Sequence, residues 1–202
     1  NFKTSIRPTL KINLKKTNKK ITKEIQNIKN NILIIGGSSG IGNDLMKLFL
    51  MNKKIKIIST FYKNKIAAKK KNLITYKIDI TKKITDLYKI MKKYHPLNIY
   101  YFATPLIDIR FQDDINYNLY KRYYVTIPVK LAKYALKCNN NFFYPSTIFI
   151  NEKNQSNYSL SKYVFEKKIK ILKKKNNKIN ILRIPRVNTK HNLSLLNEKL
   201  PN

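Results

Sequence analysis

The chain has 202 residues, 43% apolar and 11% aromatic, enough for one α/β domain with a sizeable core but not for two. Its 43 Lys and Arg against 10 Asp and Glu give a net charge of +33. The Lys residues are spread over loops and expected helix faces alike. The charge therefore reads as compositional bias, and nucleic acid is not expected as a partner. Cys138 is the single cysteine, His95 and His191 lack ligand spacing, and no apolar run reaches the ~20 residues of a membrane span. A disulfide scaffold and a membrane span are excluded, no metal site is expected, and without a secretory segment the expected compartment is the reducing cytoplasm.

Residues 1–30 are expected to be an N-terminal extension or linker. TLKINLKK alternates like an edge strand and ITKEIQNIKN reads as a short helix. The chain starts at Asn1 rather than Met, so a piece of a longer protein is expected. From residue 31 short apolar runs alternate with amphipathic stretches. Strands are predicted over Ile32–Ile35, Lys54–Ser59, Ile74–Ile78, Leu97–Phe102, Asn141–Tyr144 and Ile179–Ile184. Helices are predicted over Ile41–Asn52, Lys63–Lys71, Thr81–Tyr94, Ile115–Lys137 and Tyr158–Lys175. This alternation predicts an α/β fold: a Rossmann-like, doubly wound parallel sheet with helices on both faces, filling residues 31–202. The continuous apolar runs ILII and INIL predict strands buried on both faces. Ligands of such sheets bind at the carboxyl ends of the strands.

The stretch ILIIGGSSGIG is the most specific in the chain. All four glycines of the sequence, Gly36, Gly37, Gly40 and Gly42, lie here, between a strand and a helical pattern. Glycine lets the backbone turn tightly and lets a pyrophosphate approach without a Cβ in the way. The helix N-terminus then offers free N–H groups to the phosphates. Gly36, Ser38, Ser39, Gly40, Ile41 and Gly42 are the expected phosphate-side residues. The second strand ends in STFYKNK, where a dinucleotide site often carries an acid for the ribose 2′-hydroxyl. No Asp or Glu occurs from Lys53 to Lys77, and Lys63, Thr60 and Ser39 would welcome a 2′-phosphate. NADP is therefore expected over NAD.

Tyr-x-x-x-Lys occurs four times, as Tyr88/Lys92, Tyr117/Lys121, Tyr158/Lys162 and Tyr163/Lys167. In a chain this rich in Tyr and Lys roughly three are expected by chance, so only location can decide. The first two fall on helices before the fourth and fifth strands. Tyr158 opens the helix after the fifth strand, whose end FFYPST carries Ser146 twelve residues before it. Tyr163 points about 140° away from Tyr158 around the helix and is read as packing.

Together, Gly-x-x-x-Gly-x-Gly and Ser146 followed by Tyr-Ser-Leu-Ser-Lys resemble the short-chain dehydrogenase/reductase family over residues 31–190. The resemblance implies that Tyr158 gives a proton to a carbonyl oxygen as hydride arrives, or takes it back in the reverse direction. Ser146 would hold the substrate oxygen, and Lys162 would hold the nicotinamide ribose and pull the phenol pKa down. It also implies adenine contacts at Asp79 and Ile80, a contact at Ala103, and a nicotinamide segment matched at Pro185, Val187 and Thr189. Three features depart from the pattern. The fourth strand ends YYFATP with only Ala103 in agreement, Tyr123 and Tyr124 stand where a catalytic Asn is usual, and 13 residues follow Thr189, too few for a substrate lid. The expected activity is NADP-dependent carbonyl reduction on a small or carrier-bound substrate. The alternatives are an NAD-dependent sugar-nucleotide epimerase or dehydratase, suggested by FYPST and Glu166, and an inactive nucleotide-binding module with an acidic or nucleic-acid partner. A homo-oligomer formed through the two long helices is the expected assembly.

Overall fold

The computed structural model describes residues 21, 23–105, 114–151 and 156–185. The described residues form a six-stranded sheet in the order β3-β2-β1-β4-β5-β6, parallel at every pairing. The strands are β1 (Ile32–Ile35), β2 (Ile57–Phe61), β3 (Leu73–Lys77), β4 (Asn98–Tyr101), β5 (Asn141–Thr147) and β6 (Ile179–Ile184). Between them lie α1 (Gly40–Phe49), α2 (Ile84–Tyr94), α3 (Asp114–Lys121), a π turn (Arg122–Thr126), α4 (Ile127–Lys137) and α5 (Asn157–Lys175). The chain reverses direction across the sheet between β1 and β4, the switch point at which a crevice opens beyond the strand ends.

Helices cover both faces because β1 and the start of β2 are apolar on both. On one face Leu33, Ile35, Ile99, Phe142 and Ile179 pack against Leu87 of α2, Leu131 of α4 and Phe165 of α5. On the other, Ile32, Ile34 and Ile57 meet Met46 and Phe49 of α1, and Ile25 joins them from before β1. Asn52 stitches that preceding segment down: its Nδ2 donates to the carbonyls of Ile25 (2.8 Å) and Ile28 (2.9 Å).

Several expected elements come out differently, β2 among them, which runs over Ile57–Phe61 instead of Lys54–Ser59. Residues 63–70 form no helix. Five Lys lie between positions 63 and 71 without one acid, so helical winding would set like charges a turn apart, and Ile66 alone is buried there. The predicted Ile115–Lys137 helix is broken at its centre by the π turn. β6 is not buried on both faces: it lies at one edge of the described sheet, its residues after Ile179 are half-buried or exposed, and Leu182 is 55% exposed. β5, by contrast, runs three residues past its predicted end and through Pro145. β4 stops pairing at Phe143, so the N–H that Pro145 lacks is not needed on that side.

Candidate active site

The turn after β1 is built by its neighbours. Gly36 has φ +86°, and a Cβ there would lie 2.6 Å from the backbone nitrogen of Ala103, so the glycine turn and the end of β4 touch backbone to backbone. A Cβ on Gly42 would lie 2.5 Å from the Gly36 carbonyl oxygen, which presses α1 onto the turn. Thr60 braces the turn from β2: its Oγ1 accepts the Gly36 N–H (3.2 Å) and its carbonyl accepts the Gly37 N–H (3.0 Å). Gly40 differs from these. With φ +55°, a Cβ there meets nothing within 4 Å, so this glycine faces open space. Ser39, extended at the head of α1, makes no side-chain cap, and the helix's first N–H groups are left to an incoming anion. Ser38, Ser39 and Ile41 form a half-buried rim around that opening. These features fit a dinucleotide pyrophosphate.

Further along the same edge, Thr60 is 2% exposed, and its hydroxyl serves the turn. Lys63 and Tyr62 lie exposed beyond β2. Asp79 follows β3, and its Oδ1 accepts from the Thr81 N–H (3.0 Å) and the Thr81 hydroxyl (2.6 Å). Desolvation pushes its carboxyl up, but the Thr81 hydrogen bonds, Lys82 and the Tyr62 hydroxyl outweigh it and hold the group below its ordinary value. Ile80 beside it is buried.

Ser146, Tyr158 and Lys162 come from the end of β5 and the first turns of α5. Ser146 is 3% exposed, and among the described residues its Oγ has no hydrogen-bond partner. A buried hydroxyl left unpaired costs about 1–3 kcal/mol, so an oxygen acceptor or donor brought to this spot would be welcomed. The Lys162 amine is 4% exposed, donates to the Pro145 carbonyl (2.5 Å) and lies 4.4 Å from the ring centroids of both Tyr124 and Tyr144. Its distance to the Tyr158 ring is 5.6 Å. Desolvation drives Lys162 down to about 7, against a smaller upward pull from Glu166. Tyr158 is pushed up by desolvation, so the expected lowering of its phenol by the neighbouring ammonium is not what this geometry produces. The amine is turned toward a carbonyl and two ring faces, and its charged form is the one burial disfavours. Tyr163 lies elsewhere, lining a groove of about 510 Å³ with Glu166 and Arg183.

The break in the long helix has a cause in the sequence YYVTIP. Pro128 has no N–H, so the carbonyls four and five residues before it, Tyr124 and Tyr123, lose their helical donors. The backbone widens into a π turn, with the Ile127 N–H reaching back to the Arg122 carbonyl. Two tyrosine hydroxyls then fill the orphaned acceptors: Tyr101 donates to the Tyr123 carbonyl (2.6 Å) and Tyr144 to the Tyr124 carbonyl (2.8 Å). Thr104 hydrogen-bonds the Tyr124 hydroxyl, and the Tyr124 ring meets the Tyr158 ring edge-on at 5.2 Å.

The glycine turn, Thr60, Asp79, Ala103, Ser146 and Pro185 thus lie at or just beyond the carboxyl ends of the six strands of one sheet. Val187 and Thr189 lie outside the described residues. Sequence reasoning did not single out Thr104 or Tyr144, nor the contacts of Tyr124 with Tyr158 and Lys162. The available signal was Pro128 four residues after a Tyr-Tyr pair inside a predicted helix.

No family model matches the chain, and no curated protein matches it. Among solved structures, a short-chain dehydrogenase family protein from Francisella tularensis is 25% identical, with a TM-score of 0.70 over 83% of this chain and 74% of that one. A short-chain dehydrogenase from Leptospira borgpetersenii with bound NAD+ is 17% identical, with a TM-score of 0.66 over 79% and 72%. The UDP-glucose 4-epimerase of Thermotoga maritima, solved with UDP-glucose, is 18% identical, with a TM-score of 0.62 over 76% of this chain. The chain spans only about half, 54%, of that epimerase. No described helix is long and apolar enough to cross a membrane. In strand order, glycine turn and overall superposition, this chain has the short-chain dehydrogenase/reductase fold, in a divergent form.

Proposed function

We propose that the chain is an NADP-dependent oxidoreductase that reduces a carbonyl, or oxidises a secondary alcohol in the reverse direction, with Tyr158 as the acid/base. The observation that carries this reading is the buried Ser146 hydroxyl at the end of β5, without a hydrogen-bond partner among the described residues and beside the helix that bears Tyr158 and Lys162. A carbonyl oxygen accepting from Ser146 would complete that hydroxyl's bonding. The open face of Gly40 and the uncapped start of α1 would take the pyrophosphate, and Asp79 with Ile80 would border the adenine. When bound, the nicotinamide supplies the hydride.

The chain's own residues do the rest. Ser146 orients the substrate oxygen. Tyr158 keeps its proton through the neutral range, because burial raises its pKa, and so stands as a ready acid toward an oxygen that gains charge. Lys162, about half protonated at pH 7, can give or take up a proton close to the phenol. The preference for a 2′-phosphate rests on exposed Lys63, on Ser39 and on the lack of any acid from Lys53 to Lys77.

Fluorescence titration with NADPH and NADH, on the parent chain and Tyr158→Phe, tests the reading. Tighter NADPH binding is expected in both. Turnover on a carbonyl panel should fall about 10²–10⁴-fold in the variant. Failure of the parent chain to bind either nucleotide would overturn the assignment.

A further inference from the structure

Tyr124 has no part in the mechanism above, yet it touches both Tyr158 and Lys162. Its carbonyl is held by the Tyr144 hydroxyl, its own hydroxyl by Thr104, its edge by the Tyr158 ring and its face by the Lys162 amine. It is 2% exposed. The amine has three donors to place in a dry site. One goes to the Pro145 carbonyl, and the rings of Tyr124 and Tyr144, each with its centroid 4.4 Å away, stand in for water on the other sides. An aromatic face attracts an ammonium most strongly where water is excluded.

We propose that Tyr124 is the positioning residue for Lys162, its ring serving as the wall that holds the amine against Pro145 and beside Tyr158. The π turn is what aims this ring: Pro128 frees the Tyr124 carbonyl, and Tyr144 captures it. Tyr124 thereby links the acid, the lysine and the helix break through a single side chain. Its importance for turnover rests on the reductase reading; its hold on Lys162 does not.

Among the described residues, the titratable groups facing Lys162 come from three elements. They are Tyr158 and Glu166 from α5, Tyr144 from β5 and Tyr124 from the π turn. Behind them, Tyr101 of β4 stacks on Tyr144, and Arg183 of β6 pairs with Glu166 at 2.7 Å. Among the described residues only Tyr124 and Tyr144 present ring faces at 4.4 Å, so exchanging one face tests half of the arrangement.

The test is lysine titration by NMR in protein labelled with 13C at lysine Cε, with no ligand added. The wild type is expected to show a lysine signal titrating near 7, and Lys162→Met should remove it. Tyr124→Met fills most of the same volume without a π face and is expected to lower that midpoint by about one pH unit. Tyr124→Phe keeps the face and should leave it unmoved. Should Tyr124→Met not fold, Thr104→Val, at an exposed position, frees the Tyr124 hydroxyl and should move the signal the same way by less. In turnover, Tyr124→Met should lower kcat about tenfold with little change in KM. A lysine signal that stays at its wild-type midpoint in both Tyr124→Met and Thr104→Val overturns the inference. Absence of nucleotide binding by the wild type would instead overturn the reductase reading and leave this titration standing.

Discussion

The Pro145 carbonyl accepts a hydrogen bond from the Lys162 amine at 2.5 Å, tying the end of β5 to the first turns of α5 across 17 residues of chain. A proline at that point lacks an N–H but keeps a fully usable acceptor, and the lysine is the donor that finds it. The amine's burial has a measurable consequence. Its pKa is about 7 in the folded chain and near the ordinary lysine value of 10.5 when unfolded, so between these the unfolded state binds more protons. Stability contributed by the neutral amine is present above 10.5 and is lost as pH falls toward 7, at up to about 1.4 kcal/mol per unit. Guanidinium unfolding of the wild type should therefore show a midpoint that rises from pH 6.5 to 9. Lys162→Met should flatten that rise, with a higher midpoint than wild type at pH 6.5. A parallel rise in both proteins would refute this account of the lysine.

Gly36 and Gly40 separate folding from binding. Gly36→Ala combines φ +86° with a Cβ 2.6 Å from backbone, so β1 and β4 must part, and a loss of about 3 kcal/mol or more is expected. Gly40→Ala meets no atom and should cost only about 1–2 kcal/mol for its left-handed φ. Its methyl projects into the opening where the phosphates are expected, and NADPH affinity should fall at least about tenfold. Denaturant melts and nucleotide titrations on the two variants would expose the error if their effects came out the other way round.

Ser146→Ala removes a buried hydroxyl that lacks a partner among the described residues. The fold should lose nothing, or gain up to about 1 kcal/mol, because no hydrogen bond is broken. Turnover should drop about 10²-fold with nucleotide affinity unchanged. A destabilised Ser146→Ala protein would mean the hydroxyl is bonded in the folded state.

Tyr101, Tyr144 and Pro128 should be energetically coupled. Tyr144→Phe leaves the Tyr124 carbonyl without its donor and should cost about 1–3 kcal/mol. In a Pro128→Ala background the helix regains an N–H for that carbonyl, and the same change should cost less than half as much. Additive costs in the double-mutant cycle would show that Pro128 does not create the vacancy that Tyr144 fills.

Much of the fold was legible because the strands and helices have distinct apolar periods, and the glycines are confined to one turn. The predicted Ile32–Ile35 and Ile179–Ile184 strands coincide with those observed. The Lys63–Lys71 helix was misread because periodicity ignores like-charge repulsion within one turn. Ser146, Tyr158 and Lys162 could be singled out from spacing, but the direction of the lysine could not. Spacing says that Lys162 shares a face with Tyr158; it does not say that two rings from β5 and the π turn will enclose the amine. Those contacts bring together residues 18 to 38 positions apart and depend on a proline whose effect is felt on carbonyls four and five residues away.

The π turn also sets a phase. Every residue added to or removed from a helix rotates all that follow by about 100°. Leu131, Ala132 and Ala135 lie flat on the sheet only because Arg122–Thr126 winds with one residue more per closed ring than the helices on either side of it. Regular α winding over the same residues would swing that apolar stripe off its neighbours, whereas removing one residue between Tyr120 and Pro128 along with the π turn would leave the stripe in phase. Exposed Thr126 can change its side chain freely, but the number of residues in this stretch and the way it winds are tied to each other.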